Sequence, residues 1–478
     1  MSYNLLTALD ILLLINSIVI IILIVLERRK PEKTIAWILV LALFPYLGIL
    51  FYVLIGRMWH KRKPPKGFST YNREIMQRLI RRLEDHEIIP LVRLLMNNSN
   101  SPLFINNQIK IFRDGTEKFP ALLEEIQKAE HHIHLEYFIV HNDLIGNQIQ
   151  RLLIEKAREG VKVRFIIDRI GSFKTSWAFY SEMQAAGVDV VSYPYVLSRF
   201  LNKLNIQLNY RNHRKIVVID GKVGFIGGAN IGDEYWGLGK MGYWRDTHLM
   251  IRGDFVYGLQ AVFFDDFLTI KRTHARNVFF NEALKKYYPS DDVPKGSMMQ
   301  FATSGPDTEQ PAIMQSILKM ISVAESNIYI TTPYFVPNES IMDALRSAAL
   351  AGVDVRIIFP GKYDHYIVFK ASMTYLSELT TYGAKVYFYD NKAFLHAKVI
   401  TIDGKIASVG SSNMDVRSFF LNYELNAVIY DEKVVSELDR MFFEDIRASV
   451  YISNEYFDKL SVFDKFIQAI ARIFSALL

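Results

Sequence analysis

Two histidine-lysine pairs carry the chemistry that this sequence can offer. His213-Arg-Lys215 is followed by Asp220 and then by Gly227-Gly-Ala-Asn230. His396-Ala-Lys398 is followed by Asp403 and Gly410-Ser-Ser-Asn413, each matched position lying 183 residues on (213 to 396, 220 to 403, 230 to 413). Chance would supply only about 0.06 copies of H-x-K-x4-D in this length, so two copies with matching extensions indicate duplication. Along a strand, residues two apart face the same way, so His213 projects with Lys215 and His396 with Lys398. Brought face to face, the two copies would line one cavity with two imidazoles, two ammoniums and two side-chain amides. A phosphodiester suits that set. Lysine and asparagine donors neutralise the non-bridging oxygens of the transition state, one imidazole attacks phosphorus, and the other protonates the departing alkoxide. Metal catalysis would need acids and histidines clustered around an ion, whereas here lysines already bring the positive charge. No metal and no cofactor is therefore expected. The absence of cysteine excludes disulfides, thiolate metal sites and a cysteine nucleophile.

The elements that must position these residues are duplicated too. Gly160-Val-Lys-Val-Arg-Phe-Ile-Ile-Asp168 resembles Gly352-Val-Asp-Val-Arg-Ile-Ile-Phe-Pro360, each a β-branched run after a helical stretch (144–159 and 341–351). Ile133–Ile139 parallels Ile328–Val336 before them, and Gly187–Pro194 parallels Gly383–Asp390 after them. Strands alternating with helices imply a largely parallel or mixed sheet in each half. Turn-rich sequence between Pro289 and Gly305 marks the break. The expected division is a membrane hairpin over 1–56, a basic linker over 57–103, α/β domains over 104–292 and 293–455, and a C-terminal amphipathic helix over 456–478.

Ile35–Ile55 is 21 residues without a charge, which at about 1.5 Å per residue matches a hydrocarbon core roughly 30 Å thick. Leu5–Leu26 is nearly as apolar, interrupted by Asp10, and lacks the basic start of a signal peptide. A short loop, 27–33, joins the two, so a multi-pass hairpin is expected, with the body on the side of the N-terminus. Four Lys/Arg in that loop stand against five between Arg57 and Lys66, so charge barely discriminates the side; the cytoplasmic face is the expectation. Nine Lys/Arg against one acid between Arg57 and Arg82 suit either contact with anionic headgroups or a solvated linker.

The doubled motif resembles the phospholipase D superfamily, and over the whole chain it is most similar to bacterial cardiolipin synthases. Supporting stretches are Gly227–Tyr235, Tyr243-Trp-Arg-Asp-Thr-His248, Phe394–Lys398, Gly410–Ser418 and Asn422-Tyr-Glu424. The resemblance implies two α/β sandwich domains related by a pseudo-twofold axis and sharing one active site, a phosphatidyl-histidine intermediate, and conversion of two phosphatidylglycerols to cardiolipin and glycerol in the bacterial cell membrane. Within that mechanism His213 is assigned as nucleophile and His396 as general acid then base, although the pseudo-symmetry leaves the reverse open. Lys215, Lys398, Asn230 and Asn413 are expected to hold the phosphate, with Ser411 or Ser412. Asp246 and Glu424 match the superfamily's histidine-orienting carboxylates. Asp220 and Asp403 are counted with the catalytic motif, yet each precedes a glycine in a turn, which favours a structural role. Phosphatidylglycerol and anionic membrane lipid are the expected partners, and nucleic acid is not. A nuclease, a phospholipase D or a phosphatidylserine synthase would use the same cavity and remain the alternatives.

Weaker features have bland readings beside functional ones. His131-His-Ile-His134 has the look of a metal cluster but is expected to be core. Glu136, Tyr137, Pro333 and Tyr334 begin the paired strands and are candidates to border the cavity; Asp364 and His365 are candidates to contact a headgroup. At the C-terminus Leu460, Phe463, Ile467, Ile470, Phe474 and Leu477 form an apolar stripe at helical spacing. It either packs on the second domain or lies in the membrane interface.

Overall fold

The computed structural model describes residues 31–52, 88–193, 210–271, 287, 296–308, 310–390 and 392–474, together with most of 16–26. These fall in two compact units, one drawn from residues 1–61 and the other holding 88–193 and 211–474. Asp10, the basic run, and much of the first apolar stretch lie outside the described residues.

In the smaller unit the single helix expected over 35–55 is instead two, Pro31–Leu43 and Pro45–Phe51. Pro45 supplies the reason: it has no N–H to donate and disfavours helical geometry at the residue before it, and Phe44 sits at φ −135°. Among the described residues no helix is long and apolar enough to cross a membrane. Ile24, Leu41 and Tyr52 form a small core with Ile20, Ile21, Trp37 and Ile49, while Leu26, Leu39, Leu43 and Leu47 stay exposed.

The larger unit contains the duplication. In the first half, β1 (Asn107–Phe112), β2 (His132–Tyr137), β3 (Lys162–Asp168), β4 (Asp189–Tyr193), β5 (Ile216–Ile219), β6 (Val223–Gly227) and β8 (His248–Gly253) make one sheet, ordered β1-β8-β6-β5-β2-β3-β4. In the second, β9 (Met298–Ser304), β10 (Asn327–Thr331), β12 (Asp354–Pro360), β13 (Lys385–Tyr389), β15 (Val399–Ile402), β16 (Ile406–Gly410), β18 (Glu424–Tyr430) and β19 (Ser449–Ile452) follow the order β19-β13-β12-β10-β15-β16-β18-β9. Strand for strand the orders coincide, with β19 added at one edge. Each sheet is mixed: β2-β3-β4 and β10-β12-β13 are parallel, the remainder antiparallel.

Helices cover the outer face of each sheet; on the inner side the sheets meet along β5, β6, β8, β16 and β18, flanked by the Phe255–Ile270 and Glu432–Arg447 helices. Ile216, Val218, Ile226, Leu249 and Ile251 share one core with Ala407, Val409, Leu425, Ala427 and Ile429, so the two halves are packed as one body. The Phe255–Ile270 helix lies close against that seam, where a side chain on Gly258 would collide with Phe104 and Phe301. Two short strands stitch the halves at the backbone: β7 (Trp244–Arg245) pairs in parallel with β14 (Phe394–Leu395), while β11 (Phe335–Val336) pairs in parallel with β17 (Met414–Asp415) within the second half. The expected linker over 57–103 is corrected at its end. Ile89–Asn98 is a helix whose Leu91, Val92 and Leu95 are buried in the core of the second half, because its apolar residues recur at helical spacing.

Candidate active site

β5 and β15 each begin just after a histidine-lysine pair, and both pairs lie buried at the seam. The main chain fixes them across it. His213 N–H donates to Tyr423 O at 2.9 Å, and His396 N–H donates to Arg245 O at 2.7 Å. The residue after each acceptor is an orienting acid. His213 Nδ1 meets the Glu424 carboxylate at 3.0 Å, and His396 Nδ1 meets Asp246 Oδ2 at 2.6 Å. Each imidazole is therefore held by a carboxylate of the opposite half, which leaves its Nε2 for chemistry. Gly228 permits this approach, since a Cβ there would lie 2.1 Å from Asp246 Oδ1.

The two carboxylates differ in what else they hold. Glu424 also accepts from Ser411 Oγ at 2.5 Å and Asn422 Nδ2 at 3.2 Å, whereas among the described residues Asp246 takes only the Thr247 N–H besides its histidine. His213 is thereby paired with the more shared, weaker acceptor. Burial outweighs Glu424 and lowers His213 to about 4, so it is neutral at physiological pH. His396 is lowered as well, chiefly by burial and then Lys398, with Asp246 opposing. Both acids are held below their usual range by their histidines despite burial.

Lys215 Nζ donates to His213 O at 2.6 Å, and Lys398 Nζ donates to His396 O. Burial pulls Lys215 down to about 7 and Lys398 to about 8, against the attraction of Glu424 and Asp246. Ammoniums so lowered by burial gain protons more readily when an anion binds beside them. The asparagines are less alike than the sequence suggests. Asn230 Nδ2 is engaged by the Tyr235 hydroxyl and its Oδ1 by Ile139 N–H, while Asn413 Oδ1 is buried without a partner. The Asn413 amide is thus the freer to turn toward a phosphate. Ser411 spends its hydroxyl on Glu424, and Ser412 Oγ donates to Asn413 O at 3.1 Å.

Asp220 and Asp403, grouped by sequence with the catalytic residues, stand at the far ends of β5 and β15 from the histidine-lysine pairs. Both adopt φ 53°. Asp220 accepts the N–H groups of Glu130, His131 and His132 at 2.8–2.9 Å, and Asp403 those of Glu325, Ser326 and Asn327 at 2.7–2.8 Å. They fasten a hairpin turn to the start of the neighbouring strand.

Among the weaker candidates, His132 and His134 share Gln260, and His134 also meets Arg164, in a buried cluster that burial keeps uncharged. Glu136 is buried against Asn212, its carboxyl pushed up by burial and Asp266. The Tyr137 hydroxyl is buried without a partner. Tyr334 donates to Asp364, and His365 is mostly exposed. Among the described residues, His141, Asp143 and Glu234 have metal-ligand spacing but include no motif residue.

Sequence reasoning missed the residues packed around the imidazoles. The Phe138 ring lies 4.9 Å from His213, and Trp244 and Tyr235 lie 5.4 and 5.6 Å from His396. Lys118 is fully buried behind the site, donating to Ala229 O and Asn230 O, with its ammonium over the Phe119 and Tyr137 rings. Its signal was present: Lys118 falls on the apolar arc of the Gly115–Lys128 helix with Phe119, Leu122 and Ile126.

A duplicated α/β body whose two histidine-lysine pairs lie buried at one seam, each imidazole held by a carboxylate of the opposite half, is that of a phosphatidyltransferase of the phospholipase D superfamily. The family model described as "Cardiolipin synthase, PLD-like domain" matches residues 122–241 and 317–446, and one described as "Phospholipase_D-nuclease N-terminal" matches 11–57. The chain is 42% identical over 463 residues to a cardiolipin synthase of Geobacillus kaustophilus, covering 95% of this chain and 90% of that one. It is 41% identical over 484 residues to one of Listeria monocytogenes, with 98% of each covered. The chain belongs to the cardiolipin synthase family. In fold it is similar to a phosphatidylserine synthase of Haemophilus influenzae (TM-score 0.62, 16% identity, covering 81% of this chain and 98% of that one).

Proposed function

We propose that the cavity transfers a phosphatidyl group from one phosphatidylglycerol to the headgroup hydroxyl of a second, with His213 as nucleophile. His213 Nε2 attacks phosphorus, the bond to the glycerol headgroup breaks, and His396 gives its proton to the departing glycerol oxygen. A phosphatidyl-histidine remains. His396 then takes the proton of the second phosphatidylglycerol's terminal hydroxyl, that oxygen attacks phosphorus, the P–N bond breaks, and cardiolipin leaves. Lys215, Lys398 and Asn413 neutralise the non-bridging oxygens, with Asn230 behind them. Ser411 serves by holding Glu424, and the structural role fits Asp220 and Asp403.

One observation carries the assignment of the two histidines. Burial lowers both imidazoles, but Asp246 approaches His396 more closely, and is less shared, than Glu424 approaches His213, so His396 is the better placed of the two to hold a proton and His213 to act as the neutral nucleophile. Attachment to the bacterial cell membrane through the N-terminal hairpin is supported by the exposed Leu26, Leu39, Leu43, Phe44 and Leu47 and by the match over 11–57, with the body taken to lie on the cytoplasmic side. The test is the product. Phosphatidylglycerol alone, with chelator and without nucleotide, should give cardiolipin and glycerol in equal amounts; phosphatidic acid as the main product would make the chain a hydrolase.

A further inference from the structure

The Val462–Phe474 helix divides cleanly: Val462, Phe463, Phe466, Ile470 and Ile473 fall on one arc, and Asp464, Gln468 and Arg472 on the other. In a surface helix the apolar arc ordinarily turns inward. Here the arrangement is reversed. Asp464 pairs with Lys370 at 3.2 Å, and Arg472 pairs with Glu378 at 3.0 Å with its guanidinium 4.4 Å from the centre of the Tyr375 ring. Gln468 and Ala471 are buried between these ties. Outward stand Val462 at 86% exposure, Phe463 at 70%, Phe466 at 60% and Ile473 at 74%. The ion pairs hold the helix in this sense from both ends.

The same contacts place the exposed arc beside the catalytic seam. With 464 against 370 and 472 against 378, the helix runs parallel to Tyr366–Thr381, and its first turn lies near that helix's start. There Asp364 takes the Tyr334 hydroxyl and is close enough to Lys398 to act on its charge. Tyr363, Tyr366 and Ile367 are exposed around it. The corresponding loop of the first half exposes Phe173 and Trp177, and its Gly171 abuts Phe138, the ring against His213. Apolar groups therefore rim the catalytic seam on both halves.

We propose that the outward arc of Val462–Phe474, continuous with this rim, docks the catalytic unit on an anionic phospholipid bilayer, seating Phe463, Phe466, Ile470 and Ile473 at the headgroup-acyl boundary. The proposal rests on the phosphatidyl transfer above, since a substrate with two acyl chains must reach the cavity from a bilayer. The occupant is lipid rather than protein because the arc adjoins the substrate's entrance. Lys465 and Lys459 also remain exposed near it, Lys465 donating to Asp458 O at 3.0 Å and Lys459 paired with Glu455 at 3.4 Å, while Asp464 is paired with Lys370. Amphipathic helices with aromatic apolar faces and flanking lysines bind bilayers in this way.

The absence of cysteine makes the test clean. Phe466→Cys and Ile473→Cys, with Glu130→Cys at the opposite end of the first sheet as reference, each receive a nitroxide in the full chain, reconstituted in phosphatidylglycerol vesicles. Collision with oxygen relative to a water-soluble nickel chelate should be several-fold higher at 466 and 473 than at 130. Equal aqueous access at all three positions overturns the docking, and so does shielding from both reagents at 466 and 473, the mark of a second copy on this face. Cardiolipin made in vesicles where those labels stay aqueous overturns the docking and leaves the transfer standing. Bilayer-seated labels without cardiolipin do the reverse.

Discussion

Glu424, the first residue of β18 in the second half, accepts from Nδ1 of His213 in the first half at 3.0 Å. Asp246 returns the relationship to His396. Neither half alone holds either imidazole by a carboxylate, so in the proposed mechanism the seam is a condition of catalysis rather than a consequence of duplication.

Neutralising either carboxylate without changing its shape should therefore cost activity and little stability. Glu424→Gln and Asp246→Asn are each expected to lower kcat by about 10²-fold or more, the scale of a positioned acid-base group. Steady-state turnover in mixed micelles, with circular dichroism as the check on folding, measures this. Wild-type turnover in Asp246→Asn would remove it from the site.

The outer aspartates should behave in the opposite manner. Asp220→Ala deletes the acceptor of three backbone N–H groups at a residue with φ 53°, and should destabilise by about 2 kcal/mol. Asp220→Asn, which tolerates that backbone better, should cost less. A lower Tm with kcat per folded molecule unchanged supports the structural role; a collapse of kcat at unchanged Tm contradicts it.

The pH profile has a definite sign. His213, lowered to about 4, is neutral through the physiological range, so acid limits activity only at low pH. Lys215 and Lys398, lowered to about 7 and about 8, lose the cationic charge that phosphate needs as pH rises through that window. kcat/KM, which reports the free enzyme, should fall on the alkaline side, with KM rising more than kcat drops because the bound anion restores the protons. His396, lowered by burial, must also hold its proton as general acid and adds its own loss on the same side, so Lys215→Arg, which keeps its charge, should move only the lysine part of that limb upward. A flat profile to about pH 9 would show that neither the lysines nor His396 lose their protons in the empty site.

Much of this was legible in the sequence, and for physical reasons. The 183-residue spacing exposed the duplication, and the β-branched runs around Val163 and Val355 marked strands that recur in the same sheet order. The exchange of Glu424 and Asp246 between halves was not legible, because strand periodicity states which face a residue occupies but not which half that face meets. Ser411 looked like a phosphate donor by type, while its hydroxyl is committed to Glu424. Counting apolar residues from Ile35 to Ile55 passed over Pro45, where the helix breaks. The apolar arc at 462–473 was visible, but only the ion pairs to Lys370 and Glu378 decide that it faces outward.

The covalent intermediate tests the central claim most directly. Phosphatidylglycerol labelled at phosphorus, mixed with enzyme and quenched in base, should leave an acid-labile label on the wild-type chain. His213→Ala should carry none, while His396→Ala should acquire label slowly and release it slowly, because the same group protonates the first leaving oxygen and deprotonates the second hydroxyl. Label retained in His213→Ala and lost in His396→Ala would contradict the assignment and exchange the roles of the two halves.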